Sequence, residues 1–87
     1  MRRAARVDAN QAAIVSALRG AGCSVWVIGL PVDLLIGKNG RTVLVECKTK
    51  RGKYTDLQHA FLTTWQGGPV ATIRDVEGAL TLARSLG

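Results

Sequence analysis

The stretch PVDLLIGKNGRTVLVECK, residues 31–48, decides how this chain folds. Two apolar, β-branched runs, VDLLIG and TVLVECK, flank Asn39-Gly40. That pair is a two-residue hairpin signal, because a type I′ turn needs φ > 0 at both central positions and Asn and Gly tolerate it best. Residues 32–48 are therefore expected to form an antiparallel hairpin. Side chains alternate across a strand, so Val43, Val45 and Cys47 share one face while Leu44, Glu46 and Lys48 share the other. Counting outward from the turn pairs Lys38 with Arg41 and sets Asp33 across from Glu46, unless a bulge at Gly37 slips the register by one or two.

Outward from the hairpin, helical and strand patterns alternate. Asp8 and Gln11 have the spacing of a capping box, and Ile14, Ala17, Leu18 and Ala21 recur at helical spacing until Gly20 and Gly22, which predicts an amphipathic helix of about 14 residues. SVWVIG, from Ser24, is β-branched and aromatic and reads as a strand. After the hairpin a basic loop, TKRGKY, leads to a second capping-box pattern, Thr55 with Gln58. It opens a helix with an apolar stripe of Leu57, Phe61, Leu62 and Trp65, closed by Gly67 and Gly68. PVATI is a short strand, and Asp75 caps a last helix carrying Val76, Ala79, Leu80, Ala83 and Leu86. The predicted order is αβββαβα: a small α/β sandwich with a mixed sheet, in which the last strand returns beside the hairpin through the second helix.

At 87 residues the chain is expected to be a single domain, 1–87, with one modest core. No apolar run approaches the roughly 18 residues of a membrane span, and the basic start MRRAARVDANQ leads into no apolar signal region, so a cytoplasmic protein that avoids membranes is expected. Two cysteines, Cys23 and Cys47, fit neither a disulfide framework nor a zinc spacing and read as reduced thiols. Twelve Lys and Arg against six Asp and Glu give a net charge of +6, a positive field that draws polyanions, nucleic acid first among them. The plainer use of that charge is solubility.

Two carboxylates that converge repel each other unless a cation sits between them. A hard divalent ion resolves the repulsion, and an oxygen pair with open positions suits Mg²⁺ or Mn²⁺, which keep waters and accept phosphate oxygens. Lys48 beside such an ion could orient a water or offset charge on a phosphate. These are the parts of a phosphodiester hydrolase. The alternation alone leaves open a second arrangement, in which Asp33 and Glu46 are outward residues on a solvated sheet face and Lys48 forms a cross-strand ion pair.

PVD, twelve intervening residues, then ECK resembles the PD-(D/E)XK nuclease signature, with Val32 between the proline and the aspartate. The glycine-containing hairpin, the basic loop, the helix bearing Gln58 and the αβββαβα order resemble the small VRR-NUC branch found in phages and as a nuclease module. The opening RVDANQAAIVSALRGAGCSV resembles the first helix of its phage-type members. The resemblance covers roughly residues 6 to 83 and implies a restriction-endonuclease-like fold and a metal-dependent DNA endonuclease. It implies that Asp33 and Glu46 hold Mg²⁺ or Mn²⁺ together with the backbone carbonyl of Cys47, and that Lys48 is the catalytic lysine. It also implies that Gln58 is the helix glutamine supporting the site, a role compatible with capping Thr55. Small members of this branch act on four-way junctions, which implies branched or Holliday-junction DNA as substrate and a symmetric homodimer with two sites. One departure stands out: related nucleases often carry a glutamate on the first helix, where this chain has Ala13, with Asp8 and Gln11 the nearest substitutes. That departure keeps an alternative in play, a DNA-binding module on the same fold with weak or no turnover.

Outside this set, Lys50, Arg51 and Lys53 follow the signature strand, where they could grip phosphates flanking a scissile bond, against the simpler possibility of a solvated loop. Arg2, Arg3 and Arg6 would form a basic arm. Tyr54 could stack on a base or serve as the hydrophobic staple of the helix after it. Trp26, Phe61 and Trp65 are expected in the core or an interface, and His59 receives no catalytic role.

Overall fold

The computed structural model describes residues 9–87. Their element order is α1 (Gln11–Gly20), β1 (Ser24–Val27), β2 (Leu34–Lys38), β3 (Arg41–Cys47), α2 (Asp56–Thr64), β4 (Val70–Ile73) and α3 (Val76–Ser85). The strands form one mixed sheet in the order β1-β2-β3-β4, with β1, β2 and β3 antiparallel and β4 parallel to β3. Arg2, Arg3, Arg6 and Asp8 lie outside the described residues.

The hairpin forms as its turn dictates. Asn39 and Gly40 adopt φ of 54° and 76°, the left-handed conformation a type I′ turn requires. The register runs unbroken from Lys38↔Arg41 to Leu34↔Val45, with Gly37 paired normally to Thr42, so no bulge slips it. The turn is tied down from outside: the Asn39 side-chain amide donates to the carbonyls of Leu86 and Gly87, and Lys38 Nζ donates to that of Ala83. These carbonyls lie at and just beyond the C-terminal end of α3, where the helix's own donors run out, and a lysine there also complements the helix dipole.

Alternation divides the sheet into two unlike faces. Val25, Leu34, Ile36, Val43, Val45, Cys47 and Ile73 pack with Ile14, Val15 and Leu18 of α1 and with Ala79 and Ala83 of α3 into one core. On the opposite face, register places Trp26, Leu35, Leu44 and Val70 in one cross-strand row. That face is only partly covered. α2 contains no buried residue, and Trp26, at 72% exposure, and Trp65, at 45%, both meet solvent, so neither tryptophan lies in the core, which leaves the interface the sequence also suggests.

The first helix is also shorter than expected. It begins at Gln11 with Asn10 in the N-cap position, and no side chain caps it. Gln11 is therefore the first helical residue rather than a capping-box partner, and it is buried. The other two helix starts follow their sequence signals. Thr55 and Gln58 form a reciprocal capping box, and Asp75 Oδ1 accepts the Gly78 N–H at 2.7 Å.

Candidate functional site

Asp33 directly precedes β2, and its carbonyl accepts the N–H groups of Ile28 and Gly29, which carries the β1–β2 ladder past Leu34. The Leu34↔Val45 pairing sets the next residues outward, Asp33 and Glu46, opposite each other, and Glu46 in turn pairs with Thr72 of β4. The carboxylate of Asp33 is fixed to the neighbouring strand: Oδ2 accepts the Cys47 N–H at 2.7 Å. The hairpin thus brings together Asp33, Glu46 and the Cys47 backbone.

Burial speaks against one of the two arrangements the sequence left open, the solvated sheet face. Glu46 is 1% exposed and Lys48 7%, so they do not lie on a solvated sheet face. Both Glu46 carboxylate oxygens are closed to solvent. A carboxylate taken out of water is costly unless it is compensated, and such sites are where chemistry concentrates. Lys48 is held on three sides. Its N–H donates to Ile73, its carbonyl accepts the Asn10 side-chain amide, and its Nζ stands 5.9 Å from the centre of the Tyr54 ring. The Tyr54 hydroxyl bonds the hydroxyl of Thr72, the residue beside Glu46, so Tyr54 bridges β4 and the lysine rather than acting only as a staple.

Lys50, Arg51 and Lys53 are exposed on the loop that follows. That loop has a built-in clamp that the sequence patterns do not reveal: the Arg74 guanidinium donates to the carbonyls of Thr49, Lys50 and Gly52. Arg74 gathers the loop's carbonyls inward and leaves its cations outward.

The first helix contributes through its start. Asn10 Nδ2 donates to the carbonyls of Lys48 at 3.0 Å and Arg74 at 2.7 Å, stitching α1 to the ends of β3 and β4. Asn10 Oδ1 and Gln11 Oε1 are buried without a hydrogen-bond partner among the described residues. Ala13, where the departure from the nuclease pattern was placed, is exposed; the inward polar position on α1 is Gln11. Helical spacing could have found it, since Gln11 precedes Ile14, Val15 and Leu18 on the same buried stripe. Gln58 has its carbonyl oxygen committed, accepting the Thr55 N–H at 2.9 Å, so any further role falls to its amide NH₂.

No family model, curated protein or solved structure matches the chain. The site must be judged on its donors. Among the described residues no group of three or more His, Cys, Asp and Glu side chains gathers. Two facing carboxylates are an oxygen donor set, the kind that suits a hard cation that keeps several waters.

Proposed function

We propose that the protein is a metal-dependent endonuclease that hydrolyses DNA phosphodiester bonds, as its resemblance to the VRR-NUC branch implies. The observation that carries this reading is the Asp33–Glu46 opposition, with Glu46 closed to solvent, beside a buried Lys48 on a domain of net charge +6. Asp33, Glu46 and the Cys47 carbonyl would hold Mg²⁺ or Mn²⁺. When bound, the ion supplies Lewis-acid charge to the phosphate and makes a water more acidic. Asp33 and Glu46 would hold that charge at the end of the hairpin far from its turn. The Lys48 ammonium, steadied against Tyr54, offsets charge developing on the phosphate or orients the attacking water. Lys50, Arg51 and Lys53 grip flanking phosphates, which makes binding fall steeply with salt. Gln58 would support the site through its amide NH₂, as the resemblance implies.

Incubation with junction and linear DNA is expected to give cleavage that requires Mg²⁺ or Mn²⁺ and stops with EDTA. Lys48→Ala is expected to reduce the single-turnover rate by about 10²–10³-fold, the range for removing one preorganised charge-stabilising group. Cleavage that survives either treatment sinks the mechanism. Salt-sensitive binding without turnover at any metal concentration supports instead a DNA-binding module, a reading that the amide of Gln11 in place of a first-helix acid favours.

We further propose branched DNA as substrate and a symmetric homodimer as the active form. The support is strand β1, an edge of the sheet with Trp26 and Val27 exposed at 72% and 56%. An uncovered apolar edge of this kind suits pairing with another chain, and a two-fold arrangement presents two sites. Sedimentation is expected to give a dimer at micromolar protein, and Trp26→Lys a monomer. A wild-type monomer both alone and with junction DNA refutes the dimer.

A further inference from the structure

The face of the sheet that carries Glu46 holds a second feature that metal-dependent cleavage does not use. Leu35, Thr42, Leu44, Trp65, Gly68 and Pro69 line a cavity of about 280 Å³. Leu44 stands two residues before Glu46 on the same side of β3, so cavity and carboxylate occupy neighbouring rows of one surface. Its size lies just below the usual range of small-ligand pockets, roughly 300–1,000 Å³, and its walls are apolar with one hydroxyl, Thr42.

The aromatic wall is set in advance. Trp65 Nε1 donates to the Gly68 carbonyl at 2.8 Å, and the ring leans on Phe61 with centroids 5.2 Å apart. The chain turns so closely beneath the ring that a Cβ on Gly67 would lie 2.1 Å from Trp65 Cζ2, so a larger residue there would push the ring aside. Even so, Trp65 remains 45% exposed. A tryptophan whose polar atom is satisfied, whose ring is braced, and which lines an apolar cavity while staying part exposed offers a surface for stacking.

We propose that this cavity takes one unpaired nucleobase of the DNA whose backbone reaches the Asp33–Glu46 pair, stacked on Trp65. This rests on the nuclease reading above. Charge complementarity selects the occupant: β3 leads from the neutral cavity past Glu46 to Lys48, Lys50, Arg51 and Lys53, on a body of net charge +6. A polyanion with flat apolar side groups matches both ends of that path. Bases inside a duplex are stacked and paired, so the cavity selects DNA with unpaired nucleotides, at branch points or in single strands.

The chain has two tryptophans, so Trp26→Phe leaves Trp65 as sole reporter. In EDTA, titration with single-stranded and junction DNA is expected to quench Trp65, and blunt duplex to leave it unchanged. An abasic analogue scanned along the single strand is expected to relieve quenching at one position. Trp65→Ala is expected to weaken single-strand affinity by roughly 5- to 150-fold, the range for one base–aromatic stack. Trp65→Phe, which keeps a flat ring, retains most of that affinity. Binding measured by anisotropy with silent Trp65 emission, equal quenching by duplex, or no binding at all overturns the inference. Emission that follows protein concentration and ignores DNA also overturns it, by assigning the cavity to a second copy. Base-dependent quenching without cleavage in Mg²⁺ or Mn²⁺ supports the base site and refutes the nuclease reading; cleavage with silent Trp65 refutes the base site alone.

Discussion

Glu46→Gln is expected to abolish metal-dependent cleavage, lowering the rate roughly 10³-fold while leaving the fold in place. The substitution keeps side-chain volume and removes only the charge. Because Glu46 is 1% exposed and paired in register between Leu44 and the end of β3, the amide has no other site to occupy. A thermodynamic signature accompanies the lost activity. An ion bound by the native state alone stabilises it by about 2.7 kcal/mol at a concentration of about 100 times Kd. For a domain of this length that is a rise in Tm of roughly 10–20 °C. Wild-type protein is expected to show that rise with Mg²⁺ or Mn²⁺, and Glu46→Gln none. Calorimetric scans with and without metal check the shift, and single-turnover cleavage checks the rate. A variant that still cleaves removes Glu46 from the mechanism.

Leu34→Ala is expected to cost about 2–5 kcal/mol, the range for truncating a fully buried leucine. Leu34 is 0% exposed and pairs with Val45, also 0%, at the centre of the core. Domains of this length have a total stability of about 4–13 kcal/mol, so the variant approaches unfolding at room temperature. Leu35→Ala, one residue on, is the control. Leu35 faces the other way at 36% exposure and is expected to cost within about 1 kcal/mol. Urea denaturation of the pair checks the assignment of faces; equal losses would mean that alternation does not divide β2 as described. Since Asp33 adjoins Leu34, a loosened Leu34 variant also carries a displaced carboxylate.

The hairpin was legible from sequence because its determinants are local. Asn39-Gly40 fixes the turn, the turn fixes the register, and the register sets Asp33 against Glu46 without any distant contact. The caps at Thr55 and Asp75 are local in the same way. What pattern reading missed depends on residues far apart in the chain. Asn10 sits where a cap belongs, yet its amide serves Lys48 and Arg74 instead. Arg74 looks like an ordinary strand-end cation until the fold brings it beneath the loop of Thr49 and Gly52. Burial of Glu46 and Lys48 was equally hidden, because alternation says which face a residue takes and not what covers that face. For the two tryptophans the core half of the expectation failed for the opposite reason: size and hydrophobicity suggest the interior, but α2, the helix next to Trp65, buries none of its residues.

The Asn10 stitch has a kinetic meaning. Its two hydrogen bonds span 38 and 64 residues of chain, so the first needs α1 against the end of β3 and the second needs β4 docked as well. Contacts of such high sequence separation bear the loop-closure entropy of everything between them and come late in folding. The hairpin alone can set the acidic residues opposite each other early. The lysine strand and the clamped basic loop are tied to the first helix and the last strand together, so this corner is expected to close late in folding.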